Sequence, residues 1–93
     1  MKVVFNESSM RRVLHMMLRF SLIEIRASDS VATSAKIADV FHNLPLALLG
    51  CSTVEDYEEL MQTLHERAER CGLGSYIRGL QSVAETEVSK SVT

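Results

Sequence analysis

Apolar residues recur at helical spacing along most of the chain, and the breaks between these runs predict four helices. In the clearest run, spacings of three and four residues place the apolar side chains on one helix face. Ser52 with Glu55 is typical of a capping box at its start, and Gly72 of the left-handed residue that follows a helix end. The members of this run are Val54, Tyr57, Met61, Leu64, Ala68 and Cys71.

Three further runs predict the other helices. A short helical turn is expected at residues 46–49, between Pro45 and Gly50. We interpret residues 2–6 as either a strand-like arm or a lead-in to the first helix. The three helices are expected at about Ser9 to Ala27, about Val31 to Asn43, and Tyr76 to about Val83.

The predicted fold class is all-α, a small antiparallel helical bundle of about four helices, because short connections favour antiparallel neighbours. The 93 residues suit a single domain. We expect this domain to span residues 1–84. Residues 85–93 lack an apolar period and are expected to form a flexible C-terminal tail.

Surplus apolar surface predicts self-association. The first helix is apolar over most of its circumference, which is more than one neighbouring helix covers. The second predicted helix carries a large apolar edge and a small one that includes Val31 and Ala35. We therefore expect a homodimer formed through these two helices around a two-fold axis. Met10, Met16 and Met17 form an alternative, adaptable groove for the helix of another protein.

Glu24 falls within the apolar face of the first helix. Because an isolated ionised carboxylate is costly in an apolar site, the favoured interpretation is a structural ion pair or a hydrogen-bonded acid near the helix end. The candidate partners are Lys36 or an arginine of the third or fourth helix in the same chain, and Arg26 or His42 of a second copy. The alternatives are a ligand-binding or catalytic acid, and a solvated side chain on a helix that ends early.

Asp39 and His42 are three residues apart, so they can share a helix edge and form a hydrogen bond. Such a pair is the beginning of a general base, and with Glu24 it forms our alternative hypothesis of a small-molecule or enzymatic site. The favoured interpretation of His42 is an interfacial or helix-end histidine in a mostly apolar surround. A zinc site needs three or four converging ligands, and no such spacing occurs. We therefore expect no metal, no cofactor and no enzymatic activity.

The two cysteines have no C-x-x-C spacing, and the apolar stretch at residues 13–25 is too short and too interrupted to cross a bilayer. We expect a cytoplasmic protein with reduced thiols and no membrane association. Cys51 precedes a predicted helix N-terminus, whose dipole could lower the pKa of the thiol, although a small turn residue is the favoured interpretation.

A net charge of −2 offers no global field that attracts nucleic acid. Arg12, His15, Arg19 and Arg26 share a stripe of the first helix. Weak, salt-sensitive phosphate binding by Arg11, Arg12, His15 and Arg19 on this helix is a second alternative. A solvated or paired face is favoured. The predicted function is that of a small regulatory or accessory protein that acts through protein–protein interaction. Its candidate binding residues are Glu24, Asp39, His42, Arg12 and Arg19.

Overall fold

A computed structural model describes residues 6–92, with the backbone alone at residues 91 and 92. Over this range the chain is a small all-α helical bundle, which confirms the predicted fold class. The apolar arm predicted at residues 2–6 lies outside the described residues, apart from Asn6. The helices are α1 (Glu7–Ala27), α2 (Val31–Val40), α3 (Leu44–Leu49), α4 (Val54–Arg70) and α5 (Gly74–Val92).

Helix α1 is the central element, because it packs against α2, α4 and α5. It begins two residues earlier than predicted. The side chain of Asn6 accepts a hydrogen bond from the Ser9 N–H, and the Ser9 hydroxyl accepts one from the Asn6 N–H, each at 2.9 Å. This reciprocal cap satisfies two backbone donors that the helix itself leaves unpaired. Val13, Leu14 and Met17 point from α1 into the core.

The end of α4 follows the prediction at Gly72. This residue has a φ of +79°, and its N–H donates to the carbonyl oxygen of Glu69 at 3.3 Å. The N–H of Leu73 donates to the carbonyl oxygen of Ala68 at 2.8 Å. The two bonds form a Schellman motif, which glycine favours because it adopts positive φ without a side-chain clash.

The start of α4 differs from the prediction by one residue. Thr53, and not Ser52, is the N-cap, and its partner is Asp56 in place of Glu55. The Asp56 carboxylate accepts hydrogen bonds from the backbone N–H groups of Ser52 at 3.0 Å and Thr53 at 3.1 Å. One short carboxylate thus pairs two donors, which accounts for the shifted register.

Helix α2 ends at Val40, three residues before the predicted limit of Asn43. Residues 41–43 form a turn in which Asn43 has a φ of 63°. Pro45 lies in the first turn of α3, where the N–H that proline lacks would have no partner within the helix. The break therefore falls before Leu44, and the short helix starts two residues earlier than expected.

Helix α5 is longer than predicted. Residues 85–92 continue the helix, in place of the flexible tail expected at residues 85–93. The reason is tertiary packing: Ile77, Ala84 and Val88 form a row that is fully buried in the core. Val88 stands among polar residues, but it continues the row of Ile77 and Ala84 at spacings of seven and four residues, so the helical pattern extends beyond the predicted end at Val83.

Two side-chain contacts set the direction of α5 against α4. The ring of His65 contacts the side-chain oxygen of Gln81, and Arg78 pairs with Glu69 at 2.7 Å. Position along α4 rises as position along α5 falls, so the two helices are antiparallel. Within residues 6–92, none of the helices has both the length and the apolar character that crossing a bilayer requires.

Candidate functional site

An apolar groove runs between α1 and α5 on the outside of the bundle. It consists of two adjoining depressions of about 450 and about 430 Å³ that share Phe20 and Val83. We refer to it as the α1–α5 groove. One depression is also lined by Ser75, Tyr76, Gly79 and Leu80, and the other by Met16, Arg19, Ile23 and Glu87.

The groove exists because α1 has apolar residues on two sides. Val13 and Met17 fill the core, and α5 covers them. Phe20 and Ile23 project from the edge of α1 instead, and the side chain of Ile23 remains 61% exposed. On the opposite wall, Val83 remains 51% exposed, although it belongs to the same helix as the buried Ile77. This is the surplus apolar surface that the sequence predicted for α1.

Charged side chains of opposite sign flank the groove. Arg19 lies on the α1 wall and Glu87 on the α5 wall, and both line the same depression. Glu87 also forms an exposed ion pair with Lys90 at 3.4 Å. Arg12, Arg19 and Arg26 are exposed and Arg11 is half-buried, so the arginine row predicted on α1 is largely on the surface. Weak nucleic-acid binding by this row stays a prediction.

Glu24 is exposed in the single chain, so the expected burial of its carboxylate is not found within residues 6–92, and an ion pair with Arg26 or His42 of a second copy stays a prediction. No described residue forms an ion pair or hydrogen bond with it, so the predicted structural ion pair is absent over residues 6–92. The helix does not end early, since α1 continues to Ala27.

Tyr76 is the neighbour of Glu24 at this end of the groove. Burial raises the pKa of the Tyr76 phenol, and the negative charge of Glu24 raises it further. The hydroxyl is buried and makes no hydrogen bond to any part of the chain that the structure describes. The start of α5 therefore presents an unsatisfied hydroxyl within the electrostatic influence of Glu24.

Asp39 and His42 lie elsewhere, in a polar pocket of about 410 Å³ between the C-terminal ends of α2 and α4. Arg67 Nη1 donates to the carbonyl oxygens of Val40 at 3.4 Å and His42 at 3.0 Å. A cation there pairs the free carbonyl groups at the end of α2 and complements the helix dipole. The pocket is thus built around a helix cap. Arg70 and Cys71 complete its lining.

The structure does not bring together the three residues of the alternative small-molecule site. Asp39 and His42 are both exposed and line the same pocket. Glu24 does not line that pocket. Over the described residues, no group of three or more histidine, cysteine or acidic side chains converges as metal ligands would. A site that needs Glu24 beside His42 therefore lacks its geometry.

Cys51 has the opposite electrostatic surroundings to those proposed for a reactive thiol. Burial raises the pKa of the Cys51 thiol, and the charge of Asp56 raises it further, with a smaller opposing effect from Arg11. The thiol donates to the carbonyl oxygen of Ala47 at 3.3 Å. Since the thiolate is the reactive form, this environment favours a structural turn residue.

Sequence reasoning missed the α5 wall of the groove. Tyr76, Ile77, Leu80 and Val83 look like one apolar face, but the structure divides them between the core and the surface. A stricter helical projection contains the signal, because Val83 lies well over 90° around the helix from Ile77 at about 100° per residue. For α1 the sequence predicted surplus apolar surface in general, but it did not identify Phe20 and Ile23 as part of a groove.

Comparisons with known proteins leave this site without a precedent. No protein-family model matches the chain. No curated protein and no solved structure is significantly similar to it.

Proposed function

We propose that the protein is a small self-associating interaction module, and that its homodimer forms through the α1–α5 groove. The observation that carries the proposal is the concave apolar surface between two helices, flanked by Arg19 and Glu87. This assignment moves the interface from α1 and α2, where the sequence suggested it, to α1 and α5. The free thiols of Cys51 and Cys71 support a cytoplasmic location, in keeping with a regulatory or accessory role.

The shape of the groove distinguishes it from the other exposed apolar residues. Leu46 and Leu49 are 68% and 73% exposed, but they belong to the six-residue helix α3 and do not line any of the described depressions. Isolated exposed apolar side chains are normal on protein surfaces, whereas contiguous apolar patches mark interaction sites. The groove combines large side chains from two helices into one continuous patch, with Phe20 at its centre.

Charge complementarity argues for a second copy as the occupant. A two-fold axis that runs along the groove places α1 of one copy against α5 of the other. Since Arg19 and Glu87 line the same depression, this axis brings Arg19 of each copy opposite Glu87 of the other. An isologous interface repeats every contact twice, so two such pairs form around an apolar centre. Charged pairs at an interface rim favour the matched orientation and exclude others.

The solution mass as a function of concentration tests this proposal. We expect sedimentation velocity to show a reversible dimer for the wild type and a monomer for Ile23→Glu. The substitution buries a carboxylate at both symmetric positions, so the dimer Kd rises about 100-fold or more. Leu46→Glu is the matched control, because it adds the same charge at an equally exposed apolar position on α3.

Two results would contradict the proposal. A wild type that stays monomeric up to millimolar concentration has no dimer to explain. A dimer that is lost in Leu46→Glu and kept in Ile23→Glu would place the interface on α3. Circular dichroism of both variants confirms that they remain folded, which is expected because both positions are on the surface.

A further inference from the structure

A separate small cavity lies among α1, α4 and α5, and it shares no lining residue with the α1–α5 groove. Its volume is about 160 Å³. Engineered enclosed cavities of about 150 Å³ hold one benzene molecule, whereas this one is partly open to solvent on the side where Glu58 is exposed. Met10, Val13 and Met61 supply apolar walls, so the inner surface suits a short hydrocarbon chain.

The remaining lining is polar and carries negative charge. Glu58 of α4 and Glu85 of α5 line the cavity together with Gln81, and no lysine or arginine is among its lining residues. Neither carboxylate forms an ion pair or a hydrogen bond with any residue from 6 to 92. A ligand in the cavity thus meets an apolar interior and two carboxylates from different helices.

We infer that this cavity binds a primary ammonium group on a short linear alkyl chain, as in a free monoamine or diamine of about four to six carbons. The alkyl chain lies against Met10, Val13 and Met61, where it displaces water from apolar surface. The ammonium group donates hydrogen bonds to the carboxylates of Glu58 and Glu85. These bonds are strong because the donor and the acceptors are charged. The flexible thioether side chains of the two methionines allow chains of different length to fit.

The charge of the lining selects against other ligands of this size. An alkyl carboxylate or phosphate meets two like charges and is repelled. A neutral alcohol gains the same apolar contacts but forms no charge-assisted bond. The cation is therefore the species that uses both parts of the cavity.

Titration of the full chain with n-pentylammonium, followed by NMR of the methionine methyl groups, tests this inference. We expect saturable shifts confined to Met10 and Met61, with a Kd on the order of 1 mM for a ligand of six heavy atoms. 1-Pentanol is the neutral probe of matched length. We expect its Kd to be at least about tenfold higher, because it lacks one charge-assisted hydrogen bond. Met16 lines the groove and provides an internal reference.

The double variant Glu58→Gln with Glu85→Gln is expected to bind n-pentylammonium no more tightly than 1-pentanol. Glu55→Gln with Glu59→Gln removes the same charge from the exposed surface of α4 and is expected to keep the affinity. Equal affinity for the alcohol and the amine in the wild type, or an unchanged Kd in the cavity variant, would overturn the inference. Tighter binding of Nα-acetyl-lysine methylamide than of n-pentylammonium would overturn the assignment to a free amine.

Discussion

The negative charge of Glu24 on α1 adds to burial in raising the pKa of the Tyr76 phenol on α5. Both residues stand where α1 meets the start of α5. The carboxylate is on an exposed residue, while the hydroxyl is buried without a partner in the described chain. The polar group at this end of the groove is therefore the Tyr76 hydroxyl, which lacks a hydrogen-bond partner in the described chain and whose pKa the charge of Glu24 raises.

Removal of that hydroxyl is expected to cost nothing. A buried hydroxyl without a hydrogen bond keeps its desolvation penalty, so Tyr76→Phe should leave the free energy of unfolding within about 0.5 kcal/mol of wild type or raise it. Tyr76→Ala removes the packed ring as well and should lower it by about 2–3 kcal/mol. Urea denaturation measures both. A loss of more than about 1 kcal/mol in Tyr76→Phe would show that the hydroxyl has a partner in solution.

Arg67 is expected to stabilise the end of α2. Its guanidinium donates to the carbonyl oxygens of Val40 and His42, so Arg67→Ala should lower the free energy of unfolding by about 1 kcal/mol. Arg70→Ala is the matched control, because Arg70 lines the same pocket and makes no hydrogen bond to the described residues. Equal stability of the two variants would contradict the assignment of Arg67 as a helix cap.

The sequence predicted the fold well and the candidate site only in part. Helix α4 has a regular apolar stripe and a glycine stop, so its extent followed from local rules. The length of α5 was underestimated because Val88 lies in an otherwise polar stretch, although it continues the stripe of Ile77 and Ala84 at spacings of seven and four residues. The exposure of Glu24 in the single chain was not evident from its place on the apolar face of α1. Surplus apolar surface was evident on α1, but the second wall of the α1–α5 groove depends on how α5 is rotated about its own axis.

The carboxyl group of Asp56 is expected to make the free energy of unfolding depend on pH in the acidic range. Hydrogen bonds from the backbone N–H groups of Ser52 and Thr53 lower the pKa of the Asp56 carboxyl in the folded state. Its stabilising effect is therefore full above the unfolded-state pKa, about pH 4, and is lost as the pH falls through the lower folded-state pKa. Asp56→Asn should destabilise the protein at pH 7 and show no difference from wild type at the most acidic pH.

Urea denaturation at a series of pH values between about 2 and 7 checks this prediction, since the range spans both ends of the carboxyl titration. Glu55→Gln is the control in the same helix turn, because Glu55 does not bond to the capped backbone groups. A difference between Asp56→Asn and wild type that persists unchanged at pH 2 would show that the effect does not come from the charged carboxylate.

Replacement of Gly79 by alanine is expected to stabilise the fold and to weaken the proposed dimer. A Cβ atom added at this position has open space within 4 Å, and glycine in a helix interior costs roughly 0.5–1 kcal/mol relative to alanine. Gly79→Ala should therefore raise the free energy of unfolding by that amount when combined with Ile23→Glu. Because Gly79 lines the groove, the same methyl group should weaken the wild-type dimer. A stabilised chain with an unchanged dimer Kd would remove Gly79 from the interface.

The central claim is that two copies meet through the α1–α5 groove with Arg19 opposite Glu87. Arg19→Glu alone and Glu87→Arg alone each place two like-charge pairs in the homodimer, so each Kd should rise about tenfold or more. In an equimolar mixture of the two variants, the heterodimer restores opposite charges at both positions.

Sedimentation velocity of this mixture is the most direct measurement. We predict that each variant sediments as a monomer at a concentration where the wild type is dimeric, and that the mixture sediments as a dimer. A mixture that remains monomeric, or single variants that dimerise as tightly as the wild type, would contradict the proposed interface.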